Sequence, residues 1–213
     1  MPRGLFRAEL PRAWRAAPCY PFAGMGQIAD IEFFSGISEE SARRHEPALS
    51  WRNYPENELV IDIDDPTNDV LFVVSGALRV IHRAEDGKQV ILGELGPGGI
   101  FGEMAAIDGI ARSASVTTLR KSLIATMRAA AFMDILTSEP TVCRAVVGML
   151  TARIRKLNRQ LSEHAYLTAV ERLYAELLRL SRQRSGCDGQ RSISPPPTQR
   201  ELAERMGTPA YLI

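Results

Sequence analysis

Residues 97–117 read Pro97-Gly98-Gly99-Ile100-Phe101-Gly102-Glu103-Met104-Ala105-Ala106-Ile107-Asp108-Gly109-Ile110-Ala111-Arg112-Ser113-Ala114-Ser115-Val116-Thr117. Glu103 to Ile107 holds no breaker before Asp108-Gly109, so one helical turn is predicted there, with free N–H groups at its start. Gly102 lets a bulky ligand approach the backbone with no Cβ in the way. Arg112 brings a permanent charge and a planar fork for phosphate oxygens, and Ser113 adds a hydroxyl donor. Glu103 is an acceptor suited to a sugar hydroxyl and is expected to hold Arg112 in place. A structural Glu103–Arg112 ion pair with no ligand is the alternative, although such a pair is a costly route to stability. The pocket, Phe101 to Leu119, therefore suits a small phosphate-bearing ligand.

Outward from this stretch the period changes twice. Between Glu58 and Met127 short β-branched or apolar runs recur: Leu59–Ile61, Val70–Val74, Ala77–Ile81 and Gln89–Leu92. Asp65-Pro66, Gly76, Asp86-Gly87, Gly93, Gly96 and Pro97-Gly98-Gly99 separate them, and Asp86-Gly87 is the strongest hairpin signal. Frequent turns between many short strands predict an antiparallel barrel or roll. Before it, Ile28 to His45 is helical in pattern, with Ser38 as the cap of a turn rich in Glu39 and Glu40.

After Arg128 the pattern is helical. Ala129–Leu136 is a short helix ending near Pro140. Cys143, Val147, Leu150, Ile154, Leu157, Leu161 and His164 then alternate at spacings of four and three, which is a heptad seam. The seam is read as a homodimer coiled coil in preference to a helix lying on its own barrel. A second helix is predicted from Thr168 to Arg182, with Val170, Leu173, Leu177, Leu178 and Leu180 apolar. A Gly/Ser-rich connector, Arg184–Gln190, and Pro195-Pro196-Pro197 lead to Thr198-Gln199-Arg200-Glu201. That tetrad is read as a capping box opening a short helix whose Leu202, Ala203 and Met206 face inward and which Gly207 ends. The chain thus divides into an N-terminal extension (1–27), a β-roll (28–140), a long helix (141–165) and a C-terminal unit (166–213).

The bulk numbers exclude more than they assign. The chain has 213 residues, 45% hydrophobic and 24% charged, with a net charge of +1, so no whole-chain field marks a nucleic-acid or membrane partner. Basic residues outnumber acids between Arg153 and Arg184, which is either a solvated helix face or a phosphate-steering one. Cys19, Cys143 and Cys187 are scattered, which argues against a metal site or an iron–sulfur cluster and for a reducing cytoplasm. Arg3, Arg7, Arg12 and Arg15 precede no apolar run of signal-peptide length. No Gly-Lys-Ser/Thr follows the glycines and Gly96, Gly98 and Gly102 lack dinucleotide spacing, so neither a Walker loop nor a dinucleotide fingerprint is present. Asp62, Asp64 and Asp65 beside Pro66 read as a solvated turn rather than catalytic carboxylates, and no enzyme chemistry is expected.

Phe101-Gly102-Glu103 through Arg112-Ser113-Ala114 resembles the phosphate-binding cassette of the cyclic-nucleotide-binding domains in the Crp/Fnr family of transcription regulators. The likeness extends from about Ile31 to Gly207, with strands, long helix and capped C-terminal helix in the family's order. It implies an α+β fold: an antiparallel jelly roll with flanking helices, a dimerisation helix and a partial winged helix-turn-helix. It also implies that Gly102, Glu103, Met104, Ala105, Arg112, Ser113, Ala114 and Asn158 bind the ligand. Glu103 would take the ribose 2′-hydroxyl, and Arg112 and Ser113 the cyclic phosphate. On the long helix the base-holding pair corresponds to Leu157-Asn158, of which only Asn158 can hydrogen-bond a base. Ser113 leans towards cAMP as the ligand.

The implied partners are a second copy, through Val147, Leu150, Ile154, Leu157 and Leu161, together with DNA and RNA polymerase. DNA would be met through Thr198, Gln199, Arg200 and Thr208, the last as N-cap of a second helix. Ala210–Ile213 supply about one turn of that helix, so the sequence is read as truncated and its specific DNA binding as impaired. A ligand-gated regulator is the leading expectation, a stand-alone nucleotide-sensing module the second. A redox or haem sensor is disfavoured by the scattered thiols and by His45, His82 and His164, which show no ligand pairing.

Overall fold

The computed structural model describes residues 26–83, 88–183, 190–194, 196–209 and 213. After 3-10 turns at residues 28–30 and 32–34 come α1 (Glu39–His45), β1 (Leu49–Tyr54), β2 (Leu59–Ile61), β3 (Val70–Arg83), β4 (Gln89–Leu95) and β5 (Ile100–Phe101). Next are α2 (Glu103–Asp108), β6 (Ser115–Met127), α3 (Ala129–Ser138), α4 (Pro140–Tyr166) and α5 (Ala169–Leu180). The hairpin β7 (Arg182–Gln183) and β8 (Arg191–Ser192) and the helix α6 (Gln199–Met206) follow. Six strands form one antiparallel sheet ordered β1-β6-β3-β4, with β2 on β6 and β5 on β3. The class is the expected α+β roll with flanking helices.

β3 explains why the sheet has two cores. Val70 to Val74 are all buried, the mark of a strand covered on both faces. Val70, Phe72 and Val74 face the helices, where Phe72 meets Phe34 at 4.9 Å and Phe132 at 6.4 Å between ring centroids. Leu71, Val73 and Leu78 face the roll interior with Tyr54, Phe101 and Ile124. The two runs expected on either side of Gly76 are one strand. Gly76 bends it at φ +99° through a register shift opposite Ser122, where a Cβ would lie 2.6 Å from the Ser122 Cα. The Asp86-Gly87 turn lies outside the described residues, but β3 and β4 pair around it from Arg83 opposite Gln89. β1, before the expected start of the strands at Glu58, was hidden because its residues are mostly solvated and polar.

The helical expectations hold with small shifts. Ser38 caps α1 by accepting from the Ser41 amide at 3.1 Å. α3 and α4 adjoin at Glu139, with Pro140 at the first position of α4, where its missing N–H costs nothing. Only Val142 and Val146 of α4 are buried, against the roll. Val147, Ile154, Leu157 and Leu161 stand 57–70% exposed, so the chain's own barrel does not cover that part of the seam. α5 opens on a complete capping box, Thr168 with Glu171, that the sequence reading passed over. Thr198 caps α6 as expected, accepting from the Glu201 amide at 3.1 Å, and Gly207 closes it at φ +61°. The reciprocal half is not made, because the Glu201 carboxylate turns to Arg79 and Arg205 instead. Residues 1–25, 184–189, 195 and 210–212 lie outside the described chain. With them fall the N-terminal extension, most of the Gly/Ser-rich connector and the body of the second helix expected after Thr208.

Candidate functional site

Backbone bonds between Val73 and the glycine turn fix the cassette to the sheet: Val73 N–H to Gly99 O at 2.8 Å, Gly98 N–H to Val73 O at 2.9 Å. β5 then pairs with Leu71 and Phe72 and delivers the chain to Gly102, at φ +78°. α2 follows as the single helical segment expected, without a side-chain cap at its start, and Gly109 ends it at φ +72°. The chain returns along Asp62–Asp65: the Asp64 amide donates to Arg112 O at 3.0 Å and the Arg112 amide to Asp65 O at 3.3 Å. The acidic turn is therefore an anchor for the cassette. Asp62 accepts from Ser115 Oγ at 2.7 Å, and that bond with the Ile63 amide holds its carboxyl below the usual range. Bonds from Thr67 do the same for Asp65.

Arg112 is 4% exposed and its guanidinium is held by neutral acceptors. Nη2 donates to Asp69 O at 2.7 Å, Nη1 to Gly102 O at 3.0 Å and Nε to Thr67 Oγ1 at 3.3 Å. Burial pulls its pKa down, opposed by the fields of Asp65, Asp69 and Glu103. No carboxylate among the described residues lies within 4.0 Å of it. Gly102 proves to be required by this arginine: a Cβ there would lie 2.4 Å from Arg112 Nη1 and 2.7 Å from Asp69 O.

The expected Glu103–Arg112 pair is not formed. Glu103, 1% exposed, pairs with Arg153 of α4, whose Nη2 also donates to Ile100 O at 2.7 Å. The reason is prior engagement: Arg153 of α4 reaches Glu103, and Arg112 is committed to the Asp69 and Gly102 carbonyls and the Thr67 hydroxyl. Arg153 was legible only as one member of a basic run.

These groups meet in a cavity of about 280 Å³. Its floor is Phe101, Gly102, Glu103, Met104 and Ala105; Arg112, Ser113 and Ala114 form one wall, and Leu92 to Leu95 of β4 another. α4 closes it with Arg153, Lys156, Leu157 and Gln160, spaced as one helix face. Asn158, one residue past that face, is exposed and outside the lining. Lys156 and Gln160 stand there instead, found by the i, i+3, i+4, i+7 spacing. Lys156 Nζ donates to Leu92 O at 3.1 Å, and partial desolvation of the amine lowers its pKa against the pull of Glu176. Ser113 is exposed, with its hydroxyl 4.0 Å from Met104 Sδ.

Thr198, Gln199 and Arg200 are exposed at the start of α6 and outside the cavity lining, and Thr208 is half-buried just beyond it. Among the described residues no cluster of His, Cys, Asp or Glu is placed to hold a metal, and no helix is long and apolar enough to cross a membrane.

Comparison with known proteins agrees with this geometry. The cyclic nucleotide-binding domain family matches residues 51–139. The chain is 24% identical over 189 residues to the cAMP-activated global transcriptional regulator CRP of Haemophilus influenzae, covering 85% of this chain and 84% of that one. It is 25% identical over 182 residues to the CRP-like cAMP-activated global transcriptional regulator of Mycobacterium tuberculosis, covering 84% and 81%. The fold superposes on the c-di-GMP-responsive global regulator CLP of Xanthomonas campestris with a TM-score of 0.70 at 22% identity, over 82% of this chain and 87% of that one. With its roll, cassette and long helix in this order, the chain carries a cyclic nucleotide-binding domain over residues 51–139 and is similar along most of its length to CRP-type regulators.

Proposed function

We propose that the chain is a cytoplasmic transcription regulator operated by a cyclic mononucleotide, cAMP in the first instance, bound in the cavity under α4. One observation carries this reading: a buried guanidinium, Arg112, faces a ligand-sized cavity with only neutral acceptors to hold it. A buried cation of this kind is satisfied by an anion of matching shape, and a cyclic phosphate is one. Gly102, Met104, Ala105, Ser113 and Ala114 line the same wall and floor, and Glu103, steadied by Arg153, is the acceptor for a ribose hydroxyl. The size argues for one nucleotide rather than a dinucleotide, since about 280 Å³ is at the low end of small-molecule pockets.

The exposed stripe of Val147, Ile154, Leu157 and Leu161, with Leu150 beside it, is the proposed contact with a second copy. Thr198, Gln199, Arg200 and Thr208 are the proposed DNA-facing positions, with RNA polymerase a partner at the promoter. Calorimetric titration with cAMP, cGMP and cyclic di-GMP tests the ligand: cAMP binds at micromolar concentration or tighter, and Arg112→Leu abolishes binding. Unchanged affinity in that variant removes the assignment. A gel shift with a palindromic DNA site, with and without cAMP, separates a DNA-binding regulator from a nucleotide-sensing module that has no DNA output.

A further inference from the structure

We propose that a closed ring of four charges, Arg79–Glu94–Arg205–Glu201, latches helix α6 to the roll and that a nucleotide entering the cavity opens it. Arg79 of β3 donates through Nη2 to Glu94 of β4 at 2.8 Å and to Glu201 of α6 at 2.7 Å. Arg205, one turn further along α6, donates through Nη2 to the same Glu94 and to Glu201 at 3.1 Å. Two charges of alternating sign come from the roll and two from α6, so every edge but two spans the gap between sensor and C-terminal helix.

The ring is sheltered: its side chains are 13–16% exposed, where water screens them little. Desolvation works against the charge on Arg205, yet Glu94, Glu201 and Glu176 raise its pKa above the usual value. Beneath it only Leu202, Ala203 and Met206 of α6 are buried, a small apolar face to hold a helix by itself. Glu201 takes part in the ring in place of closing the capping box with Thr198, so local helix stability is given up for the cross-contact.

Two features mark the ring as a device that opens. The Nε of Arg79 and the Nε of Arg205 are both buried without a hydrogen-bond partner. A buried ion network with unmet donors stabilises little over alternatives, and so is poised rather than locked. Glu94 also lines the nucleotide cavity, on the strand whose Leu92 carbonyl accepts from Lys156. An anion in that cavity sets a second negative charge beside Glu94 and competes with it for the nearby cations. The ligand and the closed ring then oppose each other, and the opposition is reciprocal.

The trigger rests on the nucleotide reading above, whereas the latch itself does not. Hydrogen exchange of the α6 amides, residues 199–206, in the full chain tests both parts. Arg79→Gln, from the roll side, and Glu201→Gln, from the helix side, are each expected to speed that exchange at least tenfold while β3 and β6 amides keep their protection. Saturating cAMP is expected to speed it to a similar degree in the wild type and to add little in either variant. If β3 amides show that one variant has lost the roll, the other decides. Unchanged α6 exchange in the folded variants overturns the latch. A calorimetric signal for cAMP binding with α6 exchange unchanged or slowed overturns the trigger. No heat with any cyclic nucleotide removes the nucleotide reading and its trigger, while the two variants still decide the latch.

Discussion

Gly102 and Arg112 are fitted to each other: Arg112 Nη1 donates to the Gly102 carbonyl at 3.0 Å, and a Cβ on residue 102 would stand 2.4 Å from that same nitrogen. The positive φ of Gly102 adds backbone strain to any side chain placed there. Gly102→Ala is therefore expected to lower stability by about 1–3 kcal/mol and to weaken cAMP binding more than tenfold by moving the guanidinium. Urea denaturation and calorimetry measure the two effects. A variant with wild-type affinity would show that the guanidinium position is unimportant.

Arg153 holds the buried Glu103 from across the cavity. Arg153→Leu leaves a 1%-exposed carboxylate without its cation, and a loss of about 1–3 kcal/mol is expected after allowing for the solvent that reaches the arginine. Adding Glu103→Gln to Arg153→Leu should recover part of that loss, because the stranded charge is gone. Thermal melts of the two variants decide it; equal destabilisation would mean that the pair matters only as packing.

The exposed stripe on α4 has a simple consequence for mass. Ile154→Glu with Leu161→Glu puts charge into two positions that stand 57% and 70% exposed in the single chain. Light scattering is expected to give a dimer for the wild type and a monomer for the double variant, with the melting temperature of the roll little changed. A monomeric wild type at micromolar concentration refutes the seam as an interface.

Acid should loosen the cassette anchor in a defined direction. Asp62 and Asp65 have folded pKa values below the ordinary 3.8, through bonds from Ser115 and from Thr67. Their contribution to stability is complete above the unfolded value of 3.8 and is lost as the pH falls through the lower folded values. Between pH 7 and roughly pH 3 the wild type is thus expected to lose more stability than Asp65→Asn, measured by urea denaturation at each pH.

The local parts of the site were legible because each rests on neighbours in sequence. The helical segment from Glu103, its glycine stop and the Ser38 and Thr198 caps follow from residue types within a few positions. What could not be read depends on distant partners. Arg153 finds Glu103 across 50 residues, and Arg79 finds Glu201 across 122. Once Arg153 was taken by Glu103, the expected Glu103–Arg112 pair gave way to three neutral acceptors. Gly76 looked like a strand break because glycine carries no mark of whether a bulge or a turn will use it. Asn158 follows from the family resemblance alone, whereas the helix face that lines the cavity has a spacing that skips it.

β3 lends one face to the helix-side core and the other to the roll interior, residue by residue from Val70 to Val74. Melting of either core is expected to disturb the other, because the same backbone carries both. Damage to Phe72, under the helices, would be transmitted through Leu71 to its neighbour Phe101 at the cavity floor. A lesion distant from the cavity is thereby expected to register as weakened cAMP binding and early unfolding together.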